Sequence, residues 1–205
     1  MTNRSASSVD SVPLSELVTI KAGYPFRGSI RLIPDGKVKA VQAKDIGELG
    51  ELNTNNLITT DLTGIRCADW LEKGDVLFNS KGHRMLACYI AEDLGQTTCS
   101  PSIFLMRLKP AYQGKVNPAF LAWQLNQEPT QNYFKRSAEG SFQVAIRRDV
   151  LAAATIVLPS LSEQNTIASL YQASIKEHQL LHQLIENRQM QLTALARDLV
   201  KRTTN

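Results

Sequence analysis

No stretch of this sequence approaches the roughly 20 consecutive apolar residues that a bilayer span requires, so no membrane-crossing helix is expected. The opening residues MTNRSASS are polar and hold no apolar segment, which predicts no secretory leader. Cysteine is scarce: Cys67, Cys88 and Cys99 are odd in number and share no CxxC spacing. Histidine is equally scarce, with His83 in the front part and His178 and His182 in the rear. That supply argues against a zinc site and against a disulfide framework, and it suggests a reducing, cytoplasmic setting. The common catalytic signatures are missing as well. There is no GxSxG, no HExxH, no phosphate-binding Walker loop and no GxGxxG after a strand.

What is present is an ordinary globular composition. The 205 residues are 43% hydrophobic and 20% charged, with a formal charge of +4. Such a chain buries a core without staples and is not disordered. Its length suits one domain, or one domain with an appendage. A pI near 9.0 tilts the choice of partner mildly toward nucleic acid.

Glycine and proline punctuate the chain as far as Pro159 and are absent afterwards. Two parts follow: a head over residues 1–159 and a tail over 160–205. The head reads as α+β. Leu14–Lys21 is a short apolar element, and Ala22–Gly28 is a loop marked by two glycines and a proline. Arg31-Leu32-Ile33 stops at the Pro34-Asp35-Gly36 turn. Val38–Ile46, Asp75–Asn79, Leu86–Ala91, Ser102–Leu108 and Thr155–Leu158 read as strands. Asn117-Pro118 offers a cap and a first-turn proline for a helix, and Pro129 restarts a second one that runs through Ala138.

The tail begins with Ser160-Leu161-Ser162-Glu163, a capping-box pattern. From there Ile167, Tyr171, Ser174, His178, Leu181, Ile185, Arg188, Leu192, Leu195 and Leu199 step by alternate fours and threes. That 3.5-residue period marks a coiled-coil seam. Leu170, Ile175, Leu180 and Leu184 widen the stripe on one side. About 40 helical residues span roughly 60 Å, far beyond the roughly 15 Å radius of a domain of this size. The helix is therefore expected to project and pair with another helix, through Ile167, Tyr171, Leu181, Ile185, Leu192, Leu195 and Leu199.

Two catalytic readings are weak. Pro34-Asp35 with Gln42-Ala43-Lys44 echoes the carboxylate and lysine layout of magnesium-dependent nucleases, but Gln is a poor substitute for a carboxylate ligand. His83 and Cys88 lack a third group to orient them. The basic residues say more. Of the 23, 18 fall in residues 1–159, and several stand beside loop markers. Arginine and glutamine pair with base edges, while lysine holds phosphate. The candidate DNA-contacting residues are Tyr24, Arg27, Arg31, Gln42, Lys44, Lys81, Arg84, Ser141, Gln143 and Arg147.

Several blocks in order carry a resemblance. They are Leu14-Ser15-Glu16-Leu17 running to Gly23, Val41-Gln42-Ala43-Lys44-Asp45-Ile46, Leu71-Glu72-Lys73-Gly74-Asp75-Val76-Leu77-Phe78, and Asn117-Pro118-Ala119-Phe120-Leu121. Ala138-Glu139-Gly140 follows, then Leu158-Pro159-Ser160-Leu161-Ser162-Glu163-Gln164-Asn165-Thr166-Ile167-Ala168 and the long helix. The last block is the most specific. This order resembles half of a type I restriction–modification specificity subunit. The resemblance implies a target recognition domain that reads part of an interrupted double-stranded DNA site, and a helix that sets the spacing and docks DNA methyltransferase subunits, with a restriction subunit as a further partner. Full-length members carry two such domains and two helices, and no internal repeat is visible in this sequence. A pairing with a second copy, or with another half, is therefore expected. The family implies no cofactor and no catalysis in this chain, because methyl transfer and cleavage belong to the other subunits. The alternatives are a coiled-coil adaptor or inhibitor that binds methyltransferase subunits without reading DNA, and the small magnesium-dependent nuclease.

Overall fold

A computed structural model describes residues 10–64, 67–82, 85–138 and 145–203. The chain divides into two compact units, the first ending at Ala168 and the second beginning at Ser169.

The architecture is α+β, as expected. Strand β1 (Asp10–Pro13) pairs antiparallel with β9 (Thr155–Leu158), so the first and last strands of the head are joined. Pro13 leads directly into the single turn α1 (Leu14–Leu17), whose two leucines are fully buried. A four-stranded antiparallel sheet has the order β2 (Val18–Ala22), β8 (Ile103–Leu108), β5 (Val76–Asn79), β6 (Ala87–Tyr89). A second sheet holds β3 (Val38–Val41) between β4 (Ile58–Thr60), antiparallel, and β7 (Thr97–Cys99), parallel.

Side chains alternate across a strand, and β5 uses both faces. Val76 and Phe78 join Leu121, Leu125 and Phe134 from α2 (Pro118–Asn126) and α3 (Glu128–Ser137) on one side. Leu77 joins Leu105, Cys88, Val41 and Cys99 on the other, where the second sheet packs. The Asn117 side chain caps α2, accepting from the amides of Ala119 (2.8 Å) and Phe120 (3.3 Å), and Pro118 occupies the first turn as the sequence predicts. Two further helices follow, α4 (Arg148–Ala152) and α5 (Leu161–Thr203).

The Leu71–Phe78 block has a physical role. Gly74 takes a φ of +93°, a conformation that only glycine enters without strain. Asp75 then turns inward, its side chain 2% exposed. It accepts from Arg107 Nε and Nη2, both at 2.7 Å, and from the Glu72 amide at 2.7 Å. Arg107 also reaches Glu72 Oε1 at 2.7 Å and the Trp70 carbonyl at 2.9 Å. Its hydrogen bond to Asp75 holds the guanidinium pKa above its usual value, against the opposing effect of burial.

The Leu158–Ala168 block is equally concrete. Ser160 and Glu163 form the reciprocal capping box: the Ser160 amide donates to Glu163 Oε2 at 3.0 Å and the Glu163 amide to Ser160 Oγ at 3.3 Å. Gln164, only 2% exposed, accepts from the Asn117 amide at 2.9 Å and donates to the carbonyls of Pro159 and Lys115. Ile167 and Ala168 pack with Ala119, Phe120 and Trp123. The compact head thus extends to Ala168, past the boundary expected at Pro159.

Candidate nucleic-acid interface

Strands β2, β3, β5 and β7 end at Ala22, Val41, Asn79 and Cys99, and the registers Ala22↔Phe104, Asn79↔Ile103 and Val41↔Cys99 bring those ends to one edge of the head. The segments leaving them are laced together through the backbone. Gly23 donates to Ile103 (2.9 Å), Tyr24 to Cys99 (2.8 Å), Ser100 to Val41 (2.8 Å), Ser80 to Ser102 (2.9 Å) and Ile146 to Ser80 (2.8 Å). Lys81 forms a bridge with Ala145. The approach is so tight that a Cβ on Gly23 would lie 2.0 Å from the Ser100 carbonyl oxygen.

This edge gathers Gln42, Lys44, Lys81 and Arg147, residues that the sequence places in three separate loops. Lys44, Lys81 and Arg147 are exposed, and Gln42 is half-buried with its Nε2 shielded from solvent and without a hydrogen-bond partner. Lys44 lies in a single 3-10 turn, Ala43–Asp45. The Gln42 amide donates to Asp45 Oδ2 at 2.8 Å, and this closes the strand-like run after Val41. Burial pushes the Asp45 carboxyl above its ordinary pKa, while the Gln42 amide and the Lys44 charge oppose that shift. Neither Lys44 nor Lys81 has an ion-pair partner among the described residues.

The other described candidates, Tyr24, Arg27 and Arg31, are placed differently. Tyr24 is 3% exposed, stacked edge-on with Phe26 at 4.8 Å between centroids. Its hydroxyl accepts from the Gly64 amide at 2.7 Å, so the ring braces a loop and offers no free face. Arg27 and Arg31 are exposed on a segment that packs through Tyr24, Phe26 and Ile30 against Ala40 and Ile58 of the second sheet and Leu62 just beyond it. The Arg27 amide donates to Thr63 Oγ1 at 2.9 Å. Arg84, Ser141 and Gln143 fall outside the described residues, as does His83. Asp35 precedes β3 and Lys44 follows it, so the strand separates the pair that the nuclease layout would bring together. Cys88 is fully buried, and burial pushes its thiol pKa well up.

Sequence reasoning passed over Arg148, which with Lys21, Gly23, Cys67, Asp69 and Pro101 lines a cleft of about 620 Å³ beside the same edge. Lys21 there is paired with Asp69 at 2.5 Å. The signal available was Arg148's position next to Arg147.

In the second unit, α5 leaves Leu181, Ile185, Leu192, Leu195 and Leu199 between 53% and 66% exposed. Tyr171 is half-buried. Ile167 belongs to the head, half-buried beside Phe120 and Trp123. Among the described residues no group of three or more His, Cys, Asp or Glu is placed to hold a metal, and no helix is long and apolar enough to cross a membrane.

Solved structures share this fold of a head of short strands followed by a long helix. The S subunit of a type I restriction-modification system from M. genitalium matches with a TM-score of 0.56 at 15% identity, over 91% of this chain and 45% of that one. The HsdS subunit from Thermoanaerobacter tengcongensis matches with a TM-score of 0.61 at 18% identity, over 87% and 45%. A chain of a type I R-M system solved to explain complex assembly and conformational transition gives 0.52 at 19% identity, over 88% and 42%. The chain thus spans less than half the length of each. A comparison with curated proteins finds no match. The sequence model of the type I restriction modification DNA specificity domain matches residues 7–187. This chain belongs to that family.

Proposed function

We propose that this protein is the sequence-specific DNA-recognition subunit of a type I restriction–modification methyltransferase complex, and that it performs no chemistry and binds no cofactor itself. Two copies pair through α5 and present their heads to inverted half-sites of an interrupted double-stranded DNA sequence, since an isologous dimer displays its reading surfaces symmetrically. The same helix docks DNA methyltransferase subunits, and a restriction subunit joins in systems that cleave. The carrying observation is the convergence of Gln42, Lys44, Lys81 and Arg147 on one edge, on loops whose backbones are bonded to one another. Glutamine and arginine have the paired hydrogen-bonding groups that base edges require, and lysine supplies charge for the backbone.

Selection of bound duplexes from a random library, with and without the cognate methyltransferase subunits, tests the reading. Enrichment of two inverted half-sites at a fixed spacing is the expected result. Absence of enrichment in both conditions would overturn DNA recognition and leave the adaptor or inhibitor role, for which the exposed apolar face of α5 would suffice.

A further inference from the structure

Lys44 and Lys81 line one cleft, together with Ala43, Ile46, Asn79 and Leu86, of about 400 Å³. It lies between the 3-10 turn after β3 and the loop after β5, and neither side is free to drift. Asp45 ties the first through the Gln42 amide. The bridge between Lys81 and Ala145 and the bond from Ile146 to Ser80 tie the second.

The chemistry of the lining is one-sided. Among the described lining residues the two ammonium groups are the only charges, and none is acidic. Two other cations of the head are held by carboxylates. Lys21 is held by Asp69, and Arg107 by Asp75 and Glu72. Two ammonium groups kept unpaired across a concave, fixed surface repel each other unless an anion sits between them. Lysine is a compact point charge with rotatable donors, suited to a phosphate oxygen and unable to make the planar fork by which arginine reads guanine.

We propose that this cleft seats a phosphate of the DNA backbone and fixes the register of the duplex on the head, so that Lys44 and Lys81 position the site without reading it. Base discrimination then falls to the neighbouring Arg147. The inference rests on the DNA-recognition reading above and assigns a division of labour within it.

The test uses the full chain with its methyltransferase partner, a selected duplex and a scrambled one of equal length. Lys44→Gln, Lys81→Gln and the double variant are compared with the wild type over a salt series, with thermal melts to confirm folding. Each substitution is expected to weaken both duplexes by the same factor, roughly tenfold, leaving the ratio between them unchanged. The slope of log K against log salt should become shallower by about 1 per lysine. A scan of neutral methylphosphonates should find one or two positions that weaken the wild type and leave the double variant indifferent. An unchanged salt slope, or a loss confined to one base position, would overturn the phosphate seat while leaving DNA recognition intact. A lysine-dependent rise in melting temperature with inorganic phosphate, without any sensitive backbone position, would assign the cleft to a free anion and also overturn it. Failure of the wild type to prefer any duplex would instead remove the recognition reading itself.

Discussion

The head and the second unit treat apolar surface in opposite ways. Among the described residues of the head, most large apolar side chains are buried or half-buried, with Leu32 the most exposed. The sequence blocks that carry the family resemblance are internal brackets: Asp75 with Arg107, and Gln164 with Asn117. In the helix, Leu170, Leu180, Leu181, Leu184, Ile185, Met190, Leu192, Leu195, Leu199 and Val200 are each more than half exposed. Monomeric proteins rarely leave so long an apolar stripe in water. On the proposed function, this stripe is the surface that a partner helix covers. Specificity then belongs to the head and assembly to the helix.

The largest effect should come from the helix. Leu181→Lys with Ile185→Lys is expected to abolish self-association and, by removing the second point of attachment, to lower affinity for a full site by roughly 10²–10⁴-fold. Sedimentation and duplex titration read both, and the melting of the head should not move. A dimer that survived would break the contrast at once. The reciprocal change belongs to the head. Asp75→Ala strands a partly exposed Arg107 and should cost about 2–3 kcal/mol, somewhat below the loss from a fully buried pair. Denaturant melts measure it, and helix pairing should persist wherever the head stays folded.

A finer change sharpens the division inside the head. Arg147→Ala should lower affinity for the selected duplex by about 1–3 kcal/mol and relax preference at one position. Arg27→Ala, on a segment laid against the second sheet, should do less in the same titration. The smallest effect is chemical. In the native protein at pH 8, only the exposed Cys67 should react with iodoacetamide, because Cys88 and Cys99 are buried. Burial pushes the Cys99 thiol up to about 12, against about 8.5 in an unfolded chain. Between those values the unfolded state releases a proton that the folded state keeps, so stability should fall as pH rises and be unaffected by this thiol at pH 7. A pH series of melts with Cys99→Ala as the control checks the sign.

Much of this was legible in the residues themselves. Asn117-Pro118 announces α2, Pro129 announces α3, and Ser160 with Glu163 announces the start of α5, because each uses local chemistry that a short window contains. The short strands β4 and β7 were not legible. Ile58–Thr60 and Thr97–Cys99 are three residues each, rich in threonine, and exist because β3 lies between them. Nor could spacing show that Val38–Ile46 breaks after Val41, since that depends on Asp45 turning back to the Gln42 amide.

The candidate interface was legible residue by residue and illegible as a place. Lys44 and Lys81 stand far apart in sequence and share a cleft only because β3 and β5 end at the same edge. Tyr24 shows the opposite failure. A tyrosine between glycine and proline reads as loop, yet its ring fills a small core with Phe26 and Ala40. Arg107 lay in a predicted strand, and its bond to Asp75 spans 32 residues, beyond any local pattern.

In the proposed function, two copies of this chain read one site. Native mass spectrometry of the complex with methyltransferase subunits and a selected duplex tests it most directly. Two copies are expected on a duplex carrying both half-sites, and one when Leu181 and Ile185 are replaced by lysine. A single wild-type copy saturating the full site would contradict it.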